Sequence, residues 1–271
     1  MILGLVLSVP VRTDVDKYEV YAVRFATIAN FPVASLVAGA DRARRMDIAM
    51  TVWVLKGVDG RVAIVDSGFH REQYFRQYTV KDYVQPSEAI APLGITAAQV
   101  TDIFLTHMHW DHAGGMDLFP NARVWIQKDE YDYYTSDAWQ SRTTHGGIDP
   151  EDVIEIVRRN TAGKVSFVRG DDDTTLSGIL FGVGGKHTWQ SQFVAAQTRT
   201  HTVVLASDNM YLYENLDTHA PVAQTLDAAS NLRNQDRMRG LATTPALVIP
   251  GHDPAVFDRF PRVSERIVRI D

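Results

Sequence analysis

Short apolar runs, separated by turns rich in Gly, Asp and Pro, recur along the chain and predict more strands than helices. Residues 17–28 carry Val, Tyr and Phe at close spacing, which is typical of a strand. Residues 51–56 and 61–66 flank a Gly-bearing turn and predict a β-hairpin. Further runs of the same kind predict strands at residues 100–105, 122–127, 164–168, 176–183, 192–198, 201–207 and 246–249.

Helical segments are predicted between these strands. Asp149, followed by Pro150 and two acidic residues, is typical of a helix N-terminus. Residues 29–50 fit neither pattern and are interpreted as a long insertion, either a loop packed on the core or a lid facing a substrate or a partner copy. Strands alternating with helices predict a layered α/β sandwich. The other predicted helical segments are residues 86–93, 96–100, 128–136, 224–239 and a closing helix at 257–268 that is interrupted at Pro261.

The composition fits a globular protein with a full core. The chain has 271 residues, of which 45% are hydrophobic and 22% charged, and we predict a single domain over residues 1–271. The net charge of −6 argues against a nucleic-acid-binding surface, because such a surface needs a basic stripe. The absence of cysteine excludes a disulfide framework and a thiolate metal ligand.

The N-terminal residues leave the cellular compartment open. Residues 1–9 are apolar but too few to span a membrane, and no other stretch of the sequence approaches a membrane span. They suit an ordinary N-terminal strand or the remnant of a signal peptide, although no basic residue precedes them. We therefore treat residues 1–16 as an N-terminal extension. Both a cytoplasmic location and a periplasmic or secreted one stay open.

A dense cluster of metal-binding side chains follows the apolar run at residues 100–105. His107, His109, Asp111 and His112 form the pattern H-x-H-x-D-H on a predicted turn after a buried strand. Three imidazoles and a carboxylate at this spacing are hard to explain by packing. Imidazole suits zinc and other borderline divalent metals, and the carboxylate adds neutralising charge. The cluster therefore predicts a metal site.

This pattern resembles the signature of the metallo-β-lactamase fold superfamily of hydrolases. The resemblance implies an α/β fold of the α+β type, a four-layer αβ/βα sandwich of two mixed β-sheets flanked by helices. It also implies further ligands at later strand ends, and His187, Asp208 and His252 occur at such positions in the required order. Asp66, in the Asp-Ser-Gly sequence that ends an earlier strand, would lie beneath the metals and orient a ligand.

The resemblance implies a dinuclear site with seven ligands. Two divalent ions per chain are expected. Zn²⁺ is the first choice, and Mn²⁺, Co²⁺ or Fe²⁺ also suit ligands of this kind. The two metal-binding groups and the carboxylate that bridges them would be His107, His109 and His187; Asp111, His112 and His252; and Asp208.

The segment around Tyr211 is similar to that of the N-acyl homoserine lactonase branch of the superfamily. That branch has a Tyr three residues after the bridging Asp, and Tyr211 matches this position. The loop after His187 departs from the branch, because Ser191 stands where those lactonases have a second His. The resemblance implies that a metal-bridging hydroxide opens a lactone ring. Tyr211 would donate a hydrogen bond to the carbonyl oxygen, and Asp111 would carry a proton to the leaving oxygen.

Apolar residues close to the metals are expected to form the substrate pocket. Phe31 and Leu36, from the stretch at 29–50, would line it. Trp110 and Trp189, each close to a metal ligand in the sequence, would add walls. His145 precedes two glycines in a polar loop and is a further candidate substrate contact. The remaining histidines are not expected to be ligands: His70, His201 and His219.

Activities other than lactone hydrolysis stay open. A glyoxalase II-like thioesterase has the same ligand set but lacks the matching Tyr. A nuclease or phosphodiesterase of the superfamily would use the same metals, but the acidic charge of this chain disfavours it. A non-enzymatic metal-binding module needs a closed site, whereas seven ligands for two metals leave open positions. The expected partner is a small-molecule lactone rather than a nucleic acid, and the protein could be a monomer or a homodimer.

Overall fold

Two mixed β-sheets form in the computed structural model, which describes residues 17–141, 143 and 145–271. The larger sheet has the strand order β12-β13-β1-β2-β3-β5-β6-β7, with β4 paired to β1, and the smaller has the order β11-β10-β9-β8. The strands are β1 (Tyr18–Pro32), β2 (Arg45–Gly57), β3 (Val62–Val65), β4 (Val80–Lys81), β5 (Asp102–Phe104), β6 (Arg123–Gln127), β7 (Val165–Val168), β8 (Ile179–Val183), β9 (Gln192–Gln197), β10 (Thr202–Ser207), β11 (Val248–Pro250), β12 (Arg262–Ser264) and β13 (Ile267–Arg269).

Helices cover the sheets and connect their strands. Helix α5 begins as the sequence predicts, because the Asp149 carboxylate accepts a hydrogen bond from the Glu151 amide at 2.9 Å. The α-helices are α1 (Glu72–Gln77), α2 (Pro86–Ala89), α3 (Trp110–Ala113), α4 (Lys128–Tyr134), α5 (Pro150–Thr161), α6 (Tyr213–Asp217), α7 (Ala228–Leu241) and α8 (Val256–Arg259). Short 3₁₀ helices occur at Val33–Ser35, Ala91–Leu93, Ala97–Gln99, Met116–Leu118, Asp137–Gln140 and Pro245–Leu247.

The larger sheet is buried on both faces, which makes the fold layered. Successive side chains of a strand point to opposite faces, and β1 alternates accordingly. Val20 and Ala22 enter the core between the two sheets, whereas Tyr21 and Val23 enter the core beneath helices α1 to α5. Helix α7 packs against β10 of the smaller sheet. The predicted fold class, an α/β sandwich of two mixed sheets with flanking helices, is confirmed.

The ends of several strands meet at one edge of the sandwich. Strands β3 and β5 run parallel, so the loops that follow them leave the sheet side by side. Loops after β8, β10 and β11 reach the same edge from the smaller sheet. Asp66, Lys186 and Ser207, which lie at or next to these strand ends, have positive φ angles of 60°, 62° and 49°. Left-handed backbone at residues other than glycine costs energy and tends to persist at functional sites.

The stretch at residues 29–50 is not one long loop: strands occupy both of its ends, which the prediction missed, and only residues 33–44 connect them. Strand β1 continues to Pro32 and β2 already begins at Arg45, and Phe31 pairs with Met46. Asn30 adopts a left-handed conformation with φ of 56°, and the register shifts between Ile28 and Phe31. Asn30, a polar residue of a type common in loops, is therefore part of a β-bulge in a long hairpin.

The C-terminal segment is also different from the prediction. Instead of a closing helix over residues 257–268, α8 ends at Arg259, and two short strands follow. Pro261 disfavours helical backbone at the residue before it. Ile267 and Val268 then pair with β1, where Ile267 joins the core beneath the helices and Val268 the core between the sheets. Helix α6, directly after Tyr211 and Leu212, was not predicted.

The predicted N-terminal extension or signal-peptide remnant at residues 1–16 lies outside the residues that the structure describes. Within the residues that the structure describes, no helix combines the length and the apolar character that a membrane crossing requires.

Candidate metal centre

The H-x-H-x-D-H loop is fixed from below by the end of β3. The Asp66 carboxylate accepts hydrogen bonds from the Thr106 amide and hydroxyl, both at 2.8 Å. The Ser67 amide donates to the His112 carbonyl at 2.7 Å. His109 precedes the first turn of α3, which carries Asp111 and His112. The loop therefore leaves β5 already bonded to the neighbouring strand, with its acidic and imidazole side chains turned toward the sandwich edge.

The structure brings all seven implied ligands together in two adjacent groups. Within each group, one potential ligand atom per residue lies within 4.8 Å of the others. Asp208 connects the groups, because Oδ2 lies 3.3 Å from His187 Nε2 and Oδ1 lies 3.3 Å from His112 Nε2 and 3.0 Å from His252 Nε2. The two groups are His107, His109, His187 and Asp208; and Asp111, His112 and His252.

In three imidazoles, Nδ1 faces a fixed hydrogen-bond acceptor and Nε2 points into the centre. His112 Nδ1 lies 2.7 Å from Asp66 Oδ2, His187 Nδ1 lies 2.7 Å from the Gln224 carbonyl, and His252 Nδ1 lies 3.0 Å from the Ala49 carbonyl. An acceptor at Nδ1 leaves Nε2 with a free lone pair and fixes the ring orientation. Partners of this kind are found behind the ligands of most metal sites.

His109 is the exception, because it presents Nδ1 to the centre. Its Nδ1 lies 3.0 Å from His187 Nε2. The rest of the ring packs against Gly147, where a Cβ atom would lie 2.8 Å from His109 Cδ2. Gly147 also has a φ of 81°, and its carbonyl accepts a hydrogen bond from the Trp110 amide at 2.9 Å. Only glycine allows the backbone to approach the ring so closely.

The donor set fits divalent cations. Nε2 of His107, Nε2 of His112 and Oδ1 of Asp208 are buried and find no hydrogen-bond partner among the residues that the structure describes. Asp66, Asp111 and Asp208 lie at or beside the centre, and none of the contacts described for them involves Lys or Arg. Buried carboxylates without a basic partner are costly unless they coordinate a metal. The residues present therefore match the metals that the superfamily pattern implies.

The electrostatic surroundings keep His107 and His109 in the neutral form that can bind a metal. Burial and the neighbouring imidazoles lower the pKa of His107 well below its usual value, and burial followed by His187 does the same for His109. At His112, burial alone would lower the pKa, but Asp208, Asp111 and Asp66 outweigh it and raise the pKa well above its usual value. The carboxylates thus attract positive charge to the second group.

A cavity of about 490 Å³ opens above the centre, with Asp111, Asp208 and His252 in its floor. Its volume is in the range that is usual for small-molecule sites. Tyr211 also lines it and is 4% exposed. The Tyr211 ring lies 5.4 Å from the His187 ring and 5.6 Å from the His252 ring, so the phenol sits between the two groups. The other lining residues are Ile28, Phe31, Leu36, Ile48, Met50, Gln73, Tyr74, Gln77, Tyr78, His109, Trp110, Gly146, Gly147, Ile148, Asp149, Pro150 and Gln224.

Comparison with known proteins identifies the family. A family model described as "Metallo-beta-lactamase superfamily" matches residues 49–252. The chain belongs to the metallo-beta-lactamase superfamily. The matched range contains all seven residues of the two groups.

Curated proteins are similar to this chain over about two thirds of its length. "N-acyl homoserine lactonase AttM" from Rhizobium johnstonii is 28% identical over 187 residues, which cover 66% of this chain and 67% of that protein. The protein of the same name from Agrobacterium fabrum is 26% identical over 187 residues, with the same shares of the two chains.

Solved structures share the fold at lower sequence identity. A "Quorum-Quenching N-Acyl Homoserine Lactone Lactonase" superposes with a TM-score of 0.71 at 18% identity, covering 89% of this chain and 94% of that one. A mutant of B. thuringiensis AiiA with N-decanoyl-L-homoserine bound at its active site gives 0.72 at 18%, with 90% and 96% covered. AidC, described as a dizinc quorum-quenching lactonase, gives 0.66 at 16%, with 89% and 92% covered. At these identities the likeness shows the fold alone.

The structure places most of the expected pocket residues around this superfamily centre, with one correction. Phe31, Leu36 and Trp110 line the cavity. Trp189 does not: its ring stacks on Tyr133 at 4.1 Å between centroids, and the residue is 42% exposed. Lys186 Nζ lies 5.2 Å from the centroid of that ring. Adjacency to a ligand in the sequence did not bring this side chain to the cavity, because the loop turns it outward.

The other histidines lie apart from the two groups. His145 stacks on Trp139 at 4.3 Å between ring centroids, whereas the glycines that follow it line the cavity. His70 pairs with Asp117 at 2.9 Å, and His219 with Asp236 at 3.3 Å.

Tyr78 is a cavity residue that the sequence analysis missed. It lies at the end of α1, stacks on Trp110 at 5.2 Å between ring centroids, and accepts a hydrogen bond from Gln77 at 3.2 Å. Burial, and then the charge of Asp111, raise the pKa of its phenol. Tyr74 occupies the preceding turn and also stacks on Trp110. The four-residue spacing of two Tyr in a short helix was the only signal in the sequence.

Proposed function

We propose that this protein is a metal-dependent hydrolase that opens the ring of a lactone, an N-acyl homoserine lactone or a related compound. The observation that carries the proposal is the position of Tyr211, whose phenol lies at the cavity floor between the two groups of ligands. The names of the similar curated proteins support the same reaction.

We propose that two divalent ions, with Zn²⁺ as the first choice, occupy the centre. His107, His109 and His187 would hold one, Asp111, His112 and His252 the other, and Asp208 both. When bound, ions of this kind supply a water molecule that is nucleophilic near neutral pH and a Lewis acid for a carbonyl oxygen. The cysteine-free set of His and Asp ligands is compatible with zinc, manganese, cobalt and iron.

Tyr211 is proposed to stabilise the charge that develops on the carbonyl oxygen. Burial, and then the charges of Asp208 and Asp111, raise the pKa of its phenol well above the usual value. The hydroxyl therefore stays protonated at neutral pH and can donate a hydrogen bond. A donor held at the point where charge develops contributes about 3 kcal/mol to the transition state. The carbonyls of Met210 and Tyr211 accept hydrogen bonds from Gly251 at 2.9 Å and His252 at 3.0 Å, which fixes the backbone of this segment.

Asp111 is proposed to carry the proton that the leaving ring oxygen must gain. Hydrolysis adds water across the acyl C–O bond, so that a carboxylic acid and an alcohol appear on the same opened chain. A carboxylate beside the leaving oxygen can take up a proton and then release it, as a general acid–base group does. Its position in the cavity floor gives it access to the substrate.

The cavity wall suits a substrate with an apolar substituent. Phe31, Leu36 and Met50 line the cavity, and so does Trp110 with the two tyrosines stacked on it, Tyr74 and Tyr78. Gln73 and Gln77 of α1 add amide groups to the lining. An acyl chain would pack on the apolar residues, and the two glutamine side chains would offer hydrogen-bond partners to the polar amide of an acylated lactone.

A substrate panel tests the proposed reaction. Lactones with short and long acyl chains, a thioester, a β-lactam and a phosphodiester should be assayed with metal-replete protein. We expect kcat/KM for a lactone to exceed the values for the other three classes, and turnover to disappear after treatment with a chelator. A thioester or phosphodiester that is turned over best would overturn the lactonase proposal.

We expect about two divalent ions per chain in protein that is purified without chelators. Asp208→Ala should lose at least one, because the two carboxylate oxygens face different groups. Elemental analysis measures both quantities. Asp217→Ala, which removes an exposed carboxylate from α6, is the matched control. Two ions retained in Asp208→Ala would show that the ligand assignment is wrong.

Tyr211→Phe should lower kcat for a good lactone by about 10-fold to 1000-fold while the metal content stays the same. The ring is retained, so packing changes little, and only the donor to the oxyanion is lost. Steady-state kinetics on metal-replete protein measures the effect. Tyr213→Phe is the control, because Tyr213 packs under Arg259 and does not line the cavity. An unchanged kcat in Tyr211→Phe would exclude this tyrosine as the oxyanion donor.

Phe31→Ser should raise KM for lactones with long acyl chains more than for those with short ones. Phe31 lines the cavity, and a shorter polar side chain removes apolar contact that only a long chain reaches. Val58→Ser, at a residue that is 69% exposed on the turn between β2 and β3, provides the control. If both chain lengths are affected equally, Phe31 only packs against the core and does not bind the acyl chain.

A further inference from the structure

Glu130 is a fully buried carboxylate that stands close behind the metal centre. It lies on α4, which begins directly after β6, and its exposed fraction is 0%. Its Oε1 accepts hydrogen bonds from the Met108 amide at 3.1 Å and the Thr188 hydroxyl at 2.7 Å. Its Oε2 accepts one from the Gln190 amide at 2.6 Å. Nothing in the sequence pattern singled this residue out.

The three donors belong to the two loops that carry the histidines of the first group. Met108 stands between His107 and His109, and Thr188 directly follows His187. One carboxylate therefore holds together loops that are about eighty residues apart in the chain and whose imidazole nitrogens, His109 Nδ1 and His187 Nε2, lie 3.0 Å from each other. A bond to each loop next to its ligand limits how far the two rings can separate.

We propose that Glu130 is a positioning residue for the metal bound by His107, His109, His187 and Asp208. Glu130 would position the first group of ligands, as Asp66 positions the second group through its contact with His112. The inference rests on the proposed metal centre but concerns binding of the metal rather than the substrate that is hydrolysed.

The bonding pattern argues for a local role rather than a general one. A buried carboxylate with no basic partner among its described contacts is an expensive way to stabilise a core. All the hydrogen bonds that Glu130 accepts come from the ligand loops. Gln192 joins the same two loops independently, because its amide donates to the Thr106 carbonyl at 2.8 Å and its side chain to the Leu105 carbonyl at 2.8 Å. Loss of Glu130 should therefore loosen the ligands without separating the strands.

Zinc affinities of Glu130→Gln test the proposal. The amide keeps one oxygen acceptor but places an NH₂ group where a second acceptor is needed. Loss of a partner that orients ligands typically weakens metal binding about 10-fold to 100-fold. In competition with a chromophoric chelator, we expect the variant to bind one Zn²⁺ as the parent does and the second with an affinity lower by that factor. Asp129→Asn, an exposed neighbour on α4, is the matched control.

Two further variants, each with one of the two zinc sites removed, show which zinc ion is bound more weakly. In His252→Ala the remaining zinc should be held by the first group, and in His187→Ala by the second. Adding Glu130→Gln should weaken zinc binding in the His252→Ala protein and leave it nearly unchanged in the His187→Ala protein. Equal weakening in both, or in neither, would overturn the positioning role. A parent protein that binds no zinc would instead refute the proposed metal centre itself.

A milder substitution decides the question if Glu130→Gln does not fold. Thr188→Val removes one of the three donors with little change in volume, and Thr188→Ser keeps the hydroxyl. We expect Thr188→Val to lower zinc affinity in the His252→Ala background and Thr188→Ser to restore most of it. Equal affinities for the two Thr188 variants would count against the proposal.

Discussion

The structure of the centre depends on buried carboxylates that have, among the described residues, no positively charged Lys or Arg beside them to balance their charge. Asp66, Asp111 and Asp208 lie within or beside a cluster of five imidazoles, and their described contacts include no Lys or Arg. Burial alone would raise the pKa of Asp208, but His112 and His252 outweigh it and hold that pKa well below its usual value. The Asp208 carboxylate is thus kept charged in a place where charge is costly. Divalent cations resolve this conflict, and the fixed acceptors behind the rings show that the site is prepared for them.

The backbone at the sandwich edge also supports the metal centre. Asp66 and Ser207 adopt left-handed conformations at the ends of β3 and β10, and the side chains of both lie under the ligands. The Ser207 hydroxyl donates to Asp66 Oδ2 at 3.0 Å, so the two strained positions are bonded to each other across the two sheets. Each costs conformational energy, and the hydrogen bonds made there offset part of it. The centre therefore also joins the sheets.

The features of the site that could be predicted from the sequence are those that a short stretch of the chain reveals. His107 to His112 form one short loop, so their chemistry is visible in consecutive residues. His187, Asp208 and His252 could be found because each follows a strand, which the apolar runs mark. Glu130 and Tyr78 carry no such mark, since their roles come from contacts with residues far away in the chain. The β-bulge at Asn30 was not predicted for a related reason. Pairing with β2 fixes its conformation, whereas the local sequence resembles that of a loop.

That error has a structural meaning, because the misjudged stretch forms much of the apolar wall. Phe31, Leu36 and Ile48 line the cavity and lie on or between β1 and β2, before the range that matches the superfamily model, which begins at residue 49. All seven ligand residues lie within that range. The ligands are bonded to strand ends and to Asp66, whereas the wall belongs to a hairpin that extends past them. The wall can therefore change shape or polarity while the metal ligands keep their geometry. In the proposed function, the hairpin would set the preference for an acyl chain, and the strand-end loops would set the reaction.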